Sequence, residues 1–159
     1  MAEGAAEPGR GFELPLLLFA GFRSLIDELH AELARQGHPQ VRAAYGFALQ
    51  AVGQQGATAS EVGRRLGVSK QAAGKTVERL EALGYVERFD DPADGRRKLV
   101  RLTARGVDVL VRSAEIFDRL HAGWADALGN GRLAEMESGL RTMVPEGAFR
   151  LDAASWFAG

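Results

Sequence analysis

The segment SKQAAGKT, residues 69–76, contains residue types that bind phosphate groups. Its last three residues, Gly74, Lys75 and Thr76, match the second half of a nucleotide-binding loop, in which backbone amides and a lysine hold a phosphate chain. The same motif requires a glycine at position 69, directly after a buried strand. This chain has Ser69 there, and the preceding residues EVGRRLGV are charged. Both requirements fail, so the sequence argues against a nucleotide site.

A helix-turn-helix accounts for this segment and for the residues before it. A short helix is predicted over Thr58–Leu66, where Thr58 and Glu61 have the spacing of a capping box. Residues 67–68 form the turn, and a longer helix is predicted over Lys70–Leu83. In a DNA-binding helix-turn-helix, the second helix of such a pair enters the major groove.

The longer helix has an outward face that suits DNA. The residues predicted to share this face are Ser69, Lys70, Gln71, Gly74, Lys75 and Glu78, with Arg79 toward its edge. Lysine and arginine neutralise phosphates, and glutamine can form two hydrogen bonds with an adenine edge. Ser69 can cap the helix and present its first amides to a phosphate. Gly74 costs the helix about 1 kcal/mol relative to alanine and suits a close approach of the backbone to DNA. The alternative is an exposed, solvated helix face without a partner.

Two strand-like runs after this helix predict a β-hairpin. They are Tyr85–Phe89 and Lys98–Leu102, and the loop DDPADGR between them carries Asp-Pro and Asp-Gly turn signals. An arginine at a hairpin tip suits a narrow minor groove, whose negative potential attracts it. We expect the Asp94 carboxylate to hold the Arg96 guanidinium through two hydrogen bonds. Three helices followed by a hairpin constitute a winged helix. Its predicted DNA-binding residues are Ser69, Lys70, Gln71, Gly74, Lys75, Arg79, Asp94, Arg96, Arg97 and Lys98.

Charge is distributed unevenly along the 159 residues. Residues 58–103 contain ten Lys/Arg and seven Asp/Glu, a net charge of +3, whereas residues 1–57 and 104–159 carry −2 each. A basic middle segment between acidic flanks is a footprint of phosphate binding.

Amphipathic helices are predicted on both sides of the winged helix. Apolar spacings of three and four indicate helices over residues 12–36, 41–54, 103 to 124 or 128, and 133–144. The predicted apolar face of the first helix comprises Leu18, Phe22, Leu25, Ile26, Leu29 and Leu33. That of the long C-terminal helix comprises Val107, Leu110, Val111, Ala114, Phe117, Leu120 and Trp124. With the tail aromatics Phe149, Trp156 and Phe157, these faces exceed what the small lobe can cover, which predicts a homodimer.

We therefore predict a mainly α fold with a small β-hairpin, organised as a winged helix-turn-helix lobe and a helical dimerisation region. Residues 1–11 are predicted to be a disordered N-terminus, and residues 12–57 to form helices of the dimerisation region and the lobe scaffold. Residues 58–103 are predicted to form the DNA-binding lobe. Residues 104–159 are predicted to form the C-terminal dimerisation helices and a tail.

The composition gives little support to other chemistry. The chain has no cysteine, which excludes disulfides, thiolate catalysis and thiol redox sensing. His30, His38 and His121 lie far apart in sequence and are predicted to be surface residues rather than metal ligands. Because no carboxylates pair in an apolar setting, we expect no enzymatic activity, no cofactor and no metal. The longest nearly apolar run, residues 14–22, is shorter than the about 20 residues of a membrane span, and no secretory signal is recognised, so we expect a cytoplasmic protein.

The segment Thr58–Thr103 resembles the DNA-binding core of MarR-family transcriptional regulators. The residues that carry the resemblance are Leu80, Glu81, Gly84, Tyr85, Val86 and Arg88, followed by Asp94, Arg96, Leu102 and Thr103. The resemblance implies homodimers with intertwined first and last helices, which act, usually as repressors, on palindromic double-stranded DNA. It also implies release from DNA when a small aromatic anion binds between the dimer region and the lobe.

Two features depart from the pattern of this family. Peroxide-sensing members use a reactive cysteine, and this chain has none. The second predicted helix has Tyr45 and Phe47 but little basic charge beyond Arg42, so no residues are assigned to effector binding. The alternative function is a winged-helix module that contacts another protein without binding DNA. The wing cations, Lys70 and Lys75 argue against this alternative.

Overall fold

The computed structural model describes residues 9–144. These residues form six helices and one antiparallel hairpin: α1 Glu13–Arg35, α2 Ala43–Val52, α3 Ala59–Leu66, α4 Lys70–Ala82, β1 Val86–Asp90, β2 Lys98–Leu102, α5 Ala104–Leu128 and α6 Arg132–Met143. Each element begins and ends within two residues of its predicted bounds, and the predicted fold class is confirmed. Disorder was predicted for residues 1–11, of which residues 1–8 lie outside the described residues. The tail aromatics Phe149, Trp156 and Phe157 also lie outside them.

Side-chain caps fix where the helices of the lobe begin. Thr58 Oγ1 accepts a hydrogen bond from the Glu61 N–H at 3.2 Å, and the Glu61 carboxylate accepts one from the Thr58 N–H at 2.7 Å. The predicted capping box is therefore present. Ser69 Oγ caps α4 by accepting from the Ala72 N–H at 3.1 Å. Between the two helices, Gly67 has a left-handed backbone with φ of 68°, which lets the chain turn sharply.

Close backbone contact brings α3 and α4 together. Gly63 in α3 is buried, and a Cβ at this position would lie 3.0 Å from the Val68 carbonyl oxygen and 3.3 Å from the Ala73 Cβ. A larger residue would therefore push α4 away from α3. The inward residues of α4, Ala73, Val77 and Leu80, are fully buried. The opposite face of α4 consequently points away from the lobe.

The hairpin is anchored to the rest of the lobe by its second strand. β1 and β2 pair so that Asp90 faces Lys98 next to the loop. On the other side of β2, the Ala57 N–H donates to the Val100 carbonyl at 2.9 Å and the Val100 N–H donates back at 2.8 Å. This bridge was not predicted from sequence. Gly56, with φ of 80°, permits it, because a Cβ there would lie 2.8 Å from the Val100 oxygen. The bridge fixes the wing relative to α3.

The long helix α5 has apolar residues on two sides. Val109 and Ile116 are buried and Leu110 and Leu120 pack against the core, whereas Val107, Val111 and Phe117, which belong to the predicted apolar face, are exposed. Periodicity predicts an apolar face but does not tell which side of the helix packs on the lobe. The other side remains available to a partner.

The N-terminal half of α1 is also exposed. The large apolar residues that are 44 to 68% exposed on this segment are Phe12, Leu14, Leu16, Leu17, Leu18 and Phe19. The C-terminal half packs into the core through Leu29 and Leu33, so the predicted apolar face of this helix is buried at its C-terminal end and exposed around Leu18. None of the helices within residues 9–144 is both long enough and apolar enough to cross a membrane.

A buried histidine joins three elements, contrary to its predicted surface position. His38, in the loop between α1 and α2, is 2% exposed. Its Nδ1 lies 2.9 Å from the hydroxyl of buried Tyr85, and its Nε2 lies 2.8 Å from the Asp108 carboxylate on α5. Because an ionised carboxylate only accepts hydrogen bonds, the His38 Nε2 carries a hydrogen and donates it to Asp108.

Two arginines complete this network. Arg112 donates to the same Asp108 oxygen at 2.8 Å, and Arg105 donates to the Tyr85 hydroxyl at 3.3 Å. The Arg112 hydrogen bond, followed by that of His38, lowers the pKa of Asp108, while burial raises the pKa of Tyr85. A carboxylate whose pKa is lower in the folded state stabilises the fold at neutral pH. That stabilisation is lost as the pH falls through the lowered pKa.

We expect His38→Ala to reduce the free energy of unfolding by about 2–4 kcal/mol, because it removes two hydrogen bonds and leaves a buried hole. The matched control is His121→Ala, which removes an exposed pair between His121 Nε2 and Glu137 at 2.9 Å. The control should cost less than about 1 kcal/mol. Urea denaturation at one fixed protein concentration measures both, and equal losses would contradict the structural role of His38.

Candidate DNA-binding surface

The outer face of α4 carries the predicted residues of the recognition helix. Lys70, Gln71, Lys75 and Arg79 are exposed there, and Ser69 begins the helix beside them. Within residues 9–144, no carboxylate lies within ion-pair distance of these three cations. The charges on this face are therefore available to an external anion.

Gly74 lies near the middle of the same helix. A Cβ added at this position would meet nothing within 4 Å, so packing inside the chain does not require a glycine. Glycine nevertheless costs a helix about 1 kcal/mol relative to alanine. A close approach of a bound molecule to the α4 backbone would explain a glycine that the fold does not need.

The wing loop is a tight turn held by its own backbone. The Asp94 N–H donates to the Asp91 carbonyl at 3.2 Å, and the Arg97 N–H donates to the Asp94 carbonyl at 2.9 Å. The Asp94 carboxylate accepts a hydrogen bond from the Arg96 backbone N–H at 3.1 Å. The expectation that the Arg96 guanidinium donates two hydrogen bonds to the Asp94 carboxylate was therefore wrong. An aspartate two residues before an amide closes this local turn instead, so Asp94 shapes the loop.

The three wing cations differ in their surroundings. Lys98 pairs with an aspartate on the neighbouring strand. Arg97 lies 3.9 Å from the carboxylates of both Glu61 and Asp91. Arg96 is exposed, and among the described residues it has no carboxylate within ion-pair distance. Arg96 is therefore the wing cation that is available to a phosphate or a base edge.

A groove of about 460 Å³, which we call the wing groove, lies between the start of α3, the start of α4 and the wing. Its charged lining residues are Glu61, Arg64, Lys70, Arg88, Arg96, Arg97 and Lys98. Lys98, Arg97 and Arg88 pair with carboxylates, Arg88 with Glu81 at 3.3 Å. Among the described residues, Arg64, Lys70 and Arg96 have no carboxylate within ion-pair distance, which leaves three cations in the groove for an external anion. Sequence reasoning missed Arg64 and Arg88 because only the fold brings α3 and β1 beside the predicted residues. Their signal in the sequence is the basic charge of residues 58–103.

The single carboxylate of the wing groove serves the capping box of α3. Hydrogen bonds from the Thr58 backbone N–H at 2.7 Å and from its hydroxyl at 3.1 Å hold the pKa of Glu61 below its ordinary value. The nearby Arg97 lowers the pKa further. The negative charge of Glu61 is therefore offset within the protein, by the Thr58 hydrogen bonds and by Arg97, which is one of the cations of the groove.

An apolar cavity of about 150 Å³ lies where α1, α2 and α5 meet. Aromatic residues from each of these helices line it: Phe22, Phe47 and Phe117. Burial lowers the pKa of His30 at its edge, although Asp27 acts in the opposite direction. Arg42, at the start of α2, also lines the cavity. Over residues 9–144, no group of three His, Asp or Glu residues is placed to hold a metal ion.

Comparison with known proteins agrees with this geometry. A family model described as "MarR family" matches residues 43–97, which run from the start of α2 to the tip of the wing. Residues 43–97 therefore have the sequence pattern of the MarR family. The chain is similar to wild-type MarR from E. coli in its apo form, at 25% identity, with a TM-score of 0.64 over 83% of this chain and 97% of that one.

Two solved structures with bound DNA share the fold of this chain. FabT from Streptococcus pneumoniae, in complex with DNA, is 18% identical, with a TM-score of 0.69 over 82% of this chain and 92% of that one. A variant of MepR from S. aureus, bound to an oligodeoxyribonucleotide, is 20% identical, with a TM-score of 0.60 over 82% and 94%. At these identities the likeness establishes the fold alone. A search of curated proteins finds no significant match.

Proposed function

We propose that this chain forms a homodimer that binds palindromic double-stranded DNA and regulates transcription as a repressor. The observation that carries the proposal is the unpaired cationic face of α4 lying beside the wing groove. In this arrangement α4 enters the major groove and Arg96 enters the adjacent minor groove. The DNA in the FabT and MepR structures supports DNA as the partner.

Exposed apolar surface supports the homodimer. Large apolar side chains are exposed on the segment from Phe12 to Phe19 at the start of α1. Further exposed apolar side chains are Val107, Val111 and Phe117 on α5 and Met136 on α6. Apolar surface of this extent is normally buried by association. A twofold dimer would present two copies of α4, and two such helices about one DNA turn apart, ~34–36 Å, read a palindrome.

The apolar cavity is our proposed site for a small aromatic effector. It lies between α2 of the lobe and α1 and α5 of the dimerisation region, so its occupant would alter how these parts pack. Arg42 would supply the charge partner for a carboxylate. A panel of small aromatic carboxylates should weaken DNA binding by wild type, and Phe47→Ala should reduce that response. A response unchanged by Phe47→Ala would argue for another site.

The salt dependence of duplex binding tests the proposed function. Each phosphate that the protein neutralises contributes a slope of about −0.9 to log affinity against log salt on B-DNA. We expect a steep negative slope for the wild-type dimer on a duplex of random sequence. A winged-helix module that contacts only another protein would show no duplex affinity to titrate. That result would reject the proposal.

We expect Lys75→Ala and Gln71→Ala to affect DNA binding differently. Lysine is a point charge suited to phosphate, so Lys75→Ala should weaken binding to specific and random duplexes by the same factor. Glutamine can pair with an adenine edge, so Gln71→Ala should cost about 1–3 kcal/mol only on the preferred base of each half-site. Selection of bound genomic fragments provides the operator for both measurements. Equal losses on operator and random DNA for both variants would make this assignment wrong.

A further inference from the structure

A second cationic groove lies on the side of α4 that faces away from the wing. It has a volume of about 430 Å³ and is lined by residues of the α1–α2 loop, the start of α2 and the C-terminal part of α4. Its two charged residues are Arg42 and Arg79. No carboxylate lines it, whereas the wing groove has Glu61.

Both arginines lack an ionic partner in the described part of the chain. Arg42 and Arg79 are exposed, and no carboxylate among residues 9–144 lies within ion-pair distance of either guanidinium. Many of the other surface arginines are paired, such as Arg23 with Asp27 at 3.7 Å. Two unpaired guanidinium groups in one concavity attract an anion with several oxygen acceptors, since each guanidinium presents a fork of N–H donors.

The position of Arg79 on α4 shows where the second groove lies relative to the wing groove. Lys70, which lines the wing groove, and Arg79 are nine residues apart, which is about 180° around a helix and about 14 Å along it. The exposed residues Gln71 and Lys75 lie between these two flanks. The outward face of α4 is therefore bordered by one cationic groove on each side.

DNA has the matching geometry. A helix that lies in the major groove has a phosphate backbone on each side, and the groove is about 12 Å wide. If the wing groove meets one strand, the opposite flank of α4 faces the backbone of the other strand. We propose that Arg42 and Arg79 form a second phosphate-binding site, which holds the strand opposite to the one held by the wing groove. This inference rests on the proposed DNA-binding function.

The second phosphate site is tested by measuring how the affinity for duplex DNA depends on salt in Arg42→Ala, Arg79→Ala and the double variant. The quantity compared is the slope of log affinity against log salt, here called the salt slope. Each lost phosphate contact should reduce the slope by about 0.9, hence by about twice that for the two copies in a dimer. The loss should be equal on operator and on random duplex, because a phosphate contact carries no base information. Arg42→Lys and Arg79→Lys should retain most of the slope. If the lysine variants keep the slope, the arginine acts through its charge. If they lose it, the arginine has a structural role that lysine cannot fill.

The control is Arg23→Ala, which removes an exposed arginine on α1 and should leave the slope unchanged. A double variant that keeps the wild-type slope, while Arg96→Ala lowers it, would overturn the second phosphate site and leave the proposed function standing. A wild-type protein without measurable duplex affinity would instead overturn the proposed function. Thermal unfolding of each variant confirms that the folded dimer is being compared.

Discussion

Gly106→Ala is expected to destabilise the fold by at least about 3 kcal/mol, a loss large enough to prevent stable folding of a small domain. A Cβ at position 106 would lie 2.1 Å from the Tyr85 carbonyl oxygen and 3.4 Å from the Leu102 side chain. The clash is with backbone, and that carbonyl already accepts the Thr103 N–H at 3.0 Å. Neither the Tyr85 carbonyl nor the start of α5 can move away without opening the junction between the hairpin and α5.

The matched control is Gly46→Ala, which also places a methyl group in a helix. A Cβ at Gly46 in α2 meets nothing within 4 Å, so the substitution should stabilise the protein by up to about 1 kcal/mol through helix propensity. Chemical denaturation at a fixed protein concentration measures both variants. If Gly106→Ala were as stable as Gly46→Ala, the close contact between α5 and Tyr85 would have to be wrong.

The parts of the lobe that sequence predicts well are those fixed by local chemistry. The capping box at Thr58, the cap at Ser69 and the turn at Gly67 each depend on residues within three positions of one another. Hairpin signals in DDPADGR are equally local, and the two strands lie within one residue of their predicted bounds. For the same reason α4 and its outward face can be predicted from the sequence without knowledge of any tertiary contact.

Features set by tertiary packing were not predictable in the same way. His38 lies in a loop without any periodic pattern, and its partners Tyr85 and Asp108 are 47 and 70 residues away in sequence. The bridge between Ala57 and Val100 likewise joins a segment that carries no strand signal. On α5, apolar residues on two faces satisfied the helical period equally well. In each case the sequence contains the groups, and only the fold selects the partner.

The candidate DNA-binding surface contains residues that local sequence motifs predict and residues that only tertiary packing brings together. Arg96 and Asp94 were recognised from the wing motif, but the role of the carboxylate was inferred from side-chain chemistry alone. A backbone amide two residues away competes for the same carboxylate oxygen and needs no side-chain ordering to reach it. Arg42 was noted in the sequence as an isolated charge, and Arg79 as an edge residue of α4. Their shared groove depends on how α2 packs against α4.

Arg96→Ala is expected to weaken operator binding about 10- to 100-fold while leaving stability nearly unchanged. The side chain is exposed, and among the described residues it pairs with no carboxylate, so its removal breaks no ion pair of the fold. An arginine in a narrow minor groove gains from the enhanced negative potential there, and a specific contact is worth about 1–3 kcal/mol. Arg96→Lys should recover only part of the loss, because lysine lacks the planar fork.

Two further variants distinguish this role from that of an ordinary surface charge. Arg101→Ala is the matched control, since Arg101 is an exposed arginine on β2 that pairs with Glu87 at 2.6 Å. It should change operator affinity much less than Arg96→Ala. Asp94→Asn keeps an oxygen that accepts the Arg96 N–H and should retain binding, whereas Asp94→Ala opens the turn and should weaken it. If Arg96→Ala bound operator as tightly as wild type at physiological salt, the wing would have no part in DNA binding.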